Sequence, residues 1–291
     1  TDQNKTTDFE DKSRNNKMAQ MAQALPESEK KIKPSIKLNY GNVPWWRAEI
    51  SRITLHLGNI EFEDVRWHPY FGDEMAAASK AAGTGHAPWL EVDGKFLFQA
   101  NAIARYCSDL SGMTPKDPWQ AAKVDEVVQS ITDFQNDFMI VVMGGDKQPF
   151  LNEHVPKWMN FFERLLKDNN NGFFVGNSLT IADLALWRFL DQLNDNAFSP
   201  ALIPMWEDSD HWLQTNYPLI SIHYDRIWAH PGIKTYMDKQ YPPHSGHNPI
   251  NPTSPAYAMY PENSRVWLML NESRRDPKPE AITFWNEKGV V

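Results

Sequence analysis

Few side chains in this sequence have both the type and the spacing for chemistry, and each competes with a plain structural role. Cys107 is the only thiol among 291 residues. It cannot form an internal disulfide, a CxxC redox pair or a Cys-rich zinc site. It falls on the apolar side of the segment from Gln99 to Ser108 and reads as packing rather than as a nucleophile. His244 and His247, three apart in a Pro/Gly loop, have a spacing that two metal ligands can use, but no acid or cysteine adjoins them, and no metal is expected. Pro88 opens a strand-like run, where a proline has no amide for the ladder and is a candidate cis bond. On the residues alone, Tyr40 ends a half-buried strand and Arg47 opens a surface helix. Trp45 and Trp46, between them, offer apolar surface to a small molecule or to a partner.

Those residues need elements to position them, and the apolar periodicity supplies a series. Ile36, Leu38 and Tyr40 alternate as a strand does, and a Gly/Asn/Pro turn follows from Gly41 to Pro44. Ile50, Ile53 and Leu57 then share one helical face, and Gly58-Asn59 supplies a left-handed stop. Phe62, Val65 and Trp67 mark a second strand between Glu61 and Trp67 that closes a short βαβ unit. A loosely defined helix lies around Met75 to Ala82. Asp93-Gly94 separates two short strands as the two-residue loop of a hairpin, and helix returns from Gln99 to Ser108. The order is β-α-β-α-β-β-α.

From Asp117 the pattern is helical. Asp117 caps, Pro118 takes the first position, and Val124, Val127, Val128, Ile131, Phe134 and Phe138 mark one long face. A second helix is expected from Pro156 to Lys167 and a third after Thr180, with Asp183 in the reciprocal position of a capping box and Leu179 stapled on Leu184. Further helix is expected from Tyr217 to Tyr241. This divides the chain into a polar arm at 1–35, an α/β domain at 36–112, an all-helical domain at 113–242, and a Pro/aromatic extension at 243–291. The extension is expected to pack on the body or on a partner, and its deletion to leave the fold largely intact.

Charge and hydrophobicity exclude whole classes. Lys and Arg number 29 against 37 Asp and Glu, a formal charge of −8 that repels phosphate backbones, so no nucleic-acid partner is expected. No apolar run approaches the ~20 residues of a bilayer-spanning helix. One cysteine fits a reducing compartment, so a cytoplasmic location is expected, or an organelle if the N-terminus is a processed one.

Three segments carry a resemblance. They are Lys37-Leu-Asn-Tyr40 with Arg47-Ala-Glu49; Ala87-Pro88-Trp-Leu-Glu-Val-Asp-Gly94 with Gln99 and Ala102-Ile-Ala-Arg-Tyr106; and Gly176-Asn-Ser-Leu-Thr-Ile-Ala-Asp183. In this order they resemble the glutathione transferases, particularly the sigma-class group that includes the glutathione-dependent prostaglandin D synthases. The similar region runs from 36 to 242. The resemblance implies a thioredoxin-like domain followed by an all-helical domain, glutathione as co-substrate, a small electrophilic substrate and a homodimer, with a larger assembly through the extension as a further expectation.

It also implies roles. Tyr40 would hold the glutathione thiol as thiolate through its hydroxyl, and Arg47 would support both groups. Ala87, ahead of a cis Pro88, would pair its backbone with the cysteinyl part of glutathione. Gln99 would help hold the γ-glutamyl group at a helix N-terminus, and Lys80 would reach the glycyl carboxylate. Three departures touch the same site. Ala100 stands where the family has Ser or Thr, Gln129 stands where an aspartate commonly reaches across the dimer, and the Tyr40 to Arg47 spacing is one residue longer than in the sigma pattern. Two functions therefore stay open: a transferase or glutathione-dependent isomerase, and a non-catalytic subunit of the same fold with a weakened glutathione site, as the lens crystallins of cephalopods resemble this class.

Overall fold

A computed structural model describes residues 33–41, 46–67, 73–193, 209–240 and 278–290. Ile36–Gly41 forms β1, Trp46–Leu57 α1, Glu63–Trp67 β2, Asp73–Ala82 α2, Trp89–Val92 β3, Lys95–Phe98 β4 and Ala100–Leu110 α3. The order matches the one expected, with β2 starting at Glu63 rather than at Glu61. The sheet runs β2-β1-β3-β4. β1 pairs parallel with β2 through the α1 crossover and antiparallel with β3. Asp93 and Gly94, at φ 50° and 77°, turn β3 into β4 with the positive angles that a two-residue hairpin loop requires.

The central position of β1 explains its burial. Ile36 and Leu38 meet Leu90 of β3, Leu55 of α1, and Ile103 and Cys107 of α3. Burial pushes the Cys107 thiol up to about 12, so it stays protonated and packs as an apolar group. The other face of α1 carries Ile50 and Ile53 into the helical core beside Val124, Val127 and Trp187. Thus α1 belongs to both layers.

Pro118–Val142 forms α4, capped as expected by Asp117, whose carboxylate accepts the Gln120 amide at 2.9 Å. The next helix, α5, Val155–Asn169, is longer than the expected Pro156 to Lys167. A short turn at Lys147–Pro149 and a wider turn at Phe150–His154 run straight into it. The Val155 amide closes that wide turn on the Phe150 carbonyl, and Pro156 then sits where a missing amide costs nothing.

Ile181–Leu193 is α6. The buried Asp183 carboxylate accepts the Thr180 amide at 2.8 Å, the Thr180 hydroxyl at 2.9 Å and the Phe174 amide at 2.9 Å, and lies 3.0 Å from His223 Nε2. Half of the expected capping box is therefore present. The hydroxyl donates to the Asp183 carboxylate, a charge-assisted bond, and no helix amide among the described residues donates to it.

Ser209–Asn216 (α7), Pro218–Trp228 (α8) and Pro231–Gln240 (α9) follow, the break at Ala229-His230 falling just before Pro231. The final helix, α10, spans Pro279–Glu287. Ala281 and Trp285 are buried in the helical core, and Trp285 Nε1 donates to the Arg226 carbonyl of α8 at 2.5 Å. Lys278 pairs with Asp225 at 2.6 Å at one end, and Lys288 donates to the Asn177 carbonyl at 3.2 Å at the other. The expectation that residues 243–291 are dispensable to the fold is corrected here, since their last helix is part of the core. The rest of that extension, with His244 and His247, and the arm at 1–32 lie outside the described residues. Among the described residues no helix is long and apolar enough to cross a membrane.

Candidate functional site

Tyr40 is the penultimate residue of β1, opposite Arg66 of β2, and packs against Ala48 and Ala87 with 3% of its surface exposed. Burial pushes its hydroxyl above the usual tyrosine value, and the charges of Arg47 and Arg52 only partly offset this. The phenol is therefore protonated at neutral pH, as a hydrogen-bond donor must be.

Beside it lies a cavity of about 360 Å³. On one side, Tyr40 and Arg47 line it with Met75 and Ala76 of α2 and with Gly85, His86 and Ala87 of the loop before β3. Opposite stand Gln135, Phe138, Met139 and Val142 of α4 and Gln192 of α6. The loop is held in place from α2: Ser79 donates its hydroxyl to the His86 carbonyl at 2.6 Å, and its carbonyl accepts the amides of Gly83, Thr84 and Gly85. Gly85, at φ 73°, takes a turn that a side chain would resist. The Ala87–Pro88 peptide is cis.

Three of the sequence-predicted residues, Tyr40, Arg47 and Ala87, are thus brought together on one wall. The longer spacing has not separated Arg47 from Tyr40. Trp45 lies outside the described residues. Gln99 is exposed at the start of α3 with φ 73° and ψ 118°, a backbone that non-glycine residues rarely adopt. Ala100 is the first residue of that helix, so no hydroxyl stands there.

Gln129 is engaged within its own chain. Its Oε1 accepts from Asn101 Nδ2 at 3.1 Å, and its Nε2 donates to Asp133 at 3.4 Å. Lys80 stands on the exposed last turn of α2, and neither it nor Gln99, Ala100 or Gln129 lines the cavity. Among the described residues no group of three or more His, Cys, Asp or Glu is placed to hold a metal.

Sequence reasoning missed two groups. Gln135 and Gln192 bond to one another in the cavity wall; the sign was a polar residue at an apolar position of α4. A buried ion network also sits below the end of β1. Arg52 reaches Glu49 at 3.1 Å, Asp64 at 2.8 Å and the Gly41 carbonyl at 3.3 Å. Glu49 in turn accepts the Tyr236 hydroxyl of α9 at 2.8 Å. The two charges at Glu49 and Arg52 were visible, but their burial was not.

Comparison with known proteins places these features. Residues 36–109 match the family model described as the glutathione S-transferase N-terminal domain, and residues 133–240 match its C-terminal domain. A probable glutathione S-transferase of Caenorhabditis elegans is 31% identical over 203 residues, covering 66% of this chain and 90% of that protein. A Drosophila melanogaster glutathione S-transferase is 31% identical over 216 residues, covering 72% and 80%. Among solved structures, a monomeric glutathione S-transferase of the hookworm Necator americanus shares 30% identity with a TM-score of 0.58 over 71% of this chain and 97% of its own. The prostaglandin synthase D of Nilaparvata lugens shares 25% identity with a TM-score of 0.59 over 71% and 98%. With both halves of the fold matched, and a sheet domain followed by a helical one around a shared cavity, this chain belongs to the glutathione S-transferase family.

Proposed function

We propose that the protein is a sigma-class-like glutathione transferase in which Tyr40 stabilises the glutathione thiolate for attack on a small electrophile or for a glutathione-dependent isomerisation. The observation that carries this reading is the buried, protonated Tyr40 hydroxyl beside Arg47 in the wall of a cavity whose opposite side is largely apolar. A free thiol titrates near ~8.5, and a hydrogen bond to its charged form lowers that by about one to two units. The thiolate is then abundant at neutral pH, and the proton it gives up leaves to solvent. Arg47 adds positive charge at the same point. Ala87 pairs its backbone with the cysteinyl portion, Gln99 and the start of α3 take the γ-glutamyl group, and Lys80 approaches the glycyl carboxylate. The division at 112/113, the arm and extension as separate segments, and a cytoplasmic location belong to the same reading.

Tyr40→Phe removes the donor and little else. Conjugation of a general aromatic electrophile should fall by about 10–100-fold at neutral pH with glutathione KM nearly unchanged. The pH–rate profile should also move to the alkaline side, because the bound thiol regains its ordinary pKa. Equal rates and profiles in parent and variant would sink the assignment.

The non-catalytic reading is favoured by the missing hydroxyl at Ala100 and by the neutral Gln129 amide, which bonds to Asn101 and Asp133 of its own chain. Calorimetry with reduced glutathione separates the two, since no heat at millimolar glutathione supports the structural role. The same samples, sized by light scattering, test the expected homodimer; the hookworm relative is described as monomeric.

Gln99 gives an independent check. Its backbone strain costs about 1–3 kcal/mol, partly offset in a glycine variant by the greater freedom of the unfolded chain. Gln99→Gly should therefore gain about 1 kcal/mol in thermal stability while losing glutathione affinity. A variant that loses stability refutes the strain, and one that keeps full affinity removes Gln99 from the site.

A further inference from the structure

We propose that Gln135 and Gln192 form a polar recognition point in the apolar wall of the cavity, and that the electrophile taken there is an apolar compound carrying a neutral hydroxyl group. The proposal rests on the glutathione-transfer reading and adds a substrate class to it.

Residue 135 lies on the buried stripe of α4, in register with Ile131 and Phe138, where the helical period calls for an apolar side chain. It is a glutamine with 2% of its surface exposed. Gln192 of α6 is 6% exposed among Phe189, Leu190 and Leu193. The two amides meet in the cavity wall, Gln135 Nε2 donating to Gln192 Oε1 at 3.1 Å. Gln135 Oε1 is left buried with no partner among the described residues. A core that needed only packing would carry Leu or Met at both positions, since a buried acceptor without a donor is a net cost. Local rules broken without compensation concentrate at functional sites.

The chemistry of the pair selects the ligand. An amide dipole offers no net charge to balance a carboxylate or an ammonium beside Phe138, Met139 and Val142, so an ion here would lose its hydration unpaid. A hydroxyl loses little, because it can donate or accept and so pairs with whichever amide atom the two glutamines turn toward the cavity. A site built to hydrogen-bond a substrate hydroxyl discriminates strongly against the analogue that lacks it.

The test compares two α,β-unsaturated ketones, 4-hydroxybenzylideneacetone and its 4-methoxy analogue, which have similar ring electronics but differ in the donor. Glutathione adds through sulfur to the β-carbon, the double-bond pair moves to the α-carbon, and that carbon takes a proton from solvent. The parent protein should favour the hydroxyl compound by about tenfold in kcat/KM, equivalent to about 1.4 kcal/mol. Gln135→Met, which keeps the side-chain volume, should bring the ratio of the two kcat/KM values to about one, whatever it does to each rate. No preference in the parent, or a preference unchanged in Gln135→Met, overturns the proposal. If neither ketone is consumed, the transfer reading has failed, and recognition is then read alone by calorimetry with the saturated hydroxy and methoxy ketones. A hydroxyl preference in binding that is lost in Gln135→Met supports the site, and equal binding by the parent overturns it. Should the variant not fold, the comparison in the parent protein decides.

Discussion

Arg52→Met should lower the free energy of unfolding by about 3–5 kcal/mol, the usual cost of removing one partner from a buried ion pair. Arg52 and Glu49 both have no solvent exposure, and the guanidinium divides its donors among Glu49, Asp64 and the Gly41 carbonyl. Without it, Glu49 retains the Tyr236 hydroxyl but loses the Arg52 guanidinium. Asp64 shows what the network does. Burial pushes its carboxyl up, yet the guanidiniums of Arg52 and Arg66 and their hydrogen bonds outweigh that and hold it below the usual carboxylate value. The network spans α1, β2 and α9, so the loss falls on both layers at once. It also releases the carbonyl that follows Tyr40, so the variant should lose activity in excess of its unfolded fraction. Chemical denaturation of the parent, Arg52→Met, Glu49→Met and the double variant provides the measurement. The double variant should be less destabilised than the sum of the singles, because each single leaves a buried charge behind. A loss below about 1 kcal/mol for Arg52→Met, the scale of an exposed pair, would mean that the network is hydrated.

What could be read beforehand follows the range of the interactions. The sheet domain was legible because its signals are local: the alternation through Ile36, Leu38 and Tyr40, the Asp93-Gly94 turn, and Pro88 at the head of a strand. Tyr40, Arg47 and Ala87 converge because β1, α1 and the loop before β3 form one short supersecondary unit. Gln129 was legible as a departure but not as a partner of Asn101, since that contact depends on how α3 and α4 pack. Gln135 was visible as a polar interruption of an apolar stripe, yet its partner lies 57 residues away, and no local rule connects them. Tyr236 and Glu49 are 187 residues apart. The tail packs on the body as expected, but its weight in the fold was misjudged for the same reason. Its own apolar residues are too sparse to build a core, and the surface that completes one is supplied by Phe173, Arg226 and His230.

Trp285→Ala should cost about 3–5 kcal/mol and detach the last helix, although the residue lies far from the cavity in sequence. A nine-residue helix is marginal alone, and α10 holds its place only through what it buries. Trp285 is 3% exposed, donates to the Arg226 carbonyl, stands edge-on to His230 at 4.5 Å between ring centres, and packs against Phe173 at 5.7 Å. That environment also sets the charge of His230. Burial lowers its pKa to about 4, so the ring is neutral in the folded protein. The unfolded chain binds a proton with pKa near ~6.5, so between that value and about 4 the unfolded state holds more protons than the folded one. Stability is then complete above the upper limit and falls as the pH drops through the window, by an amount on the order of 3 kcal/mol from this group. Removing the indole opens His230 to water, its pKa returns toward the ordinary value, and that share of the pH dependence disappears. The measurement is Tm from pH 4 to 8 for the parent and Trp285→Ala, with limited proteolysis of the C-terminus at pH 7. The two Tm curves should converge toward low pH as the parent loses what the variant has already lost. Curves that stay parallel would show that His230 does not report on the docking of α10, and a variant as stable and as protease-resistant as the parent would return the tail to the status of an appendage.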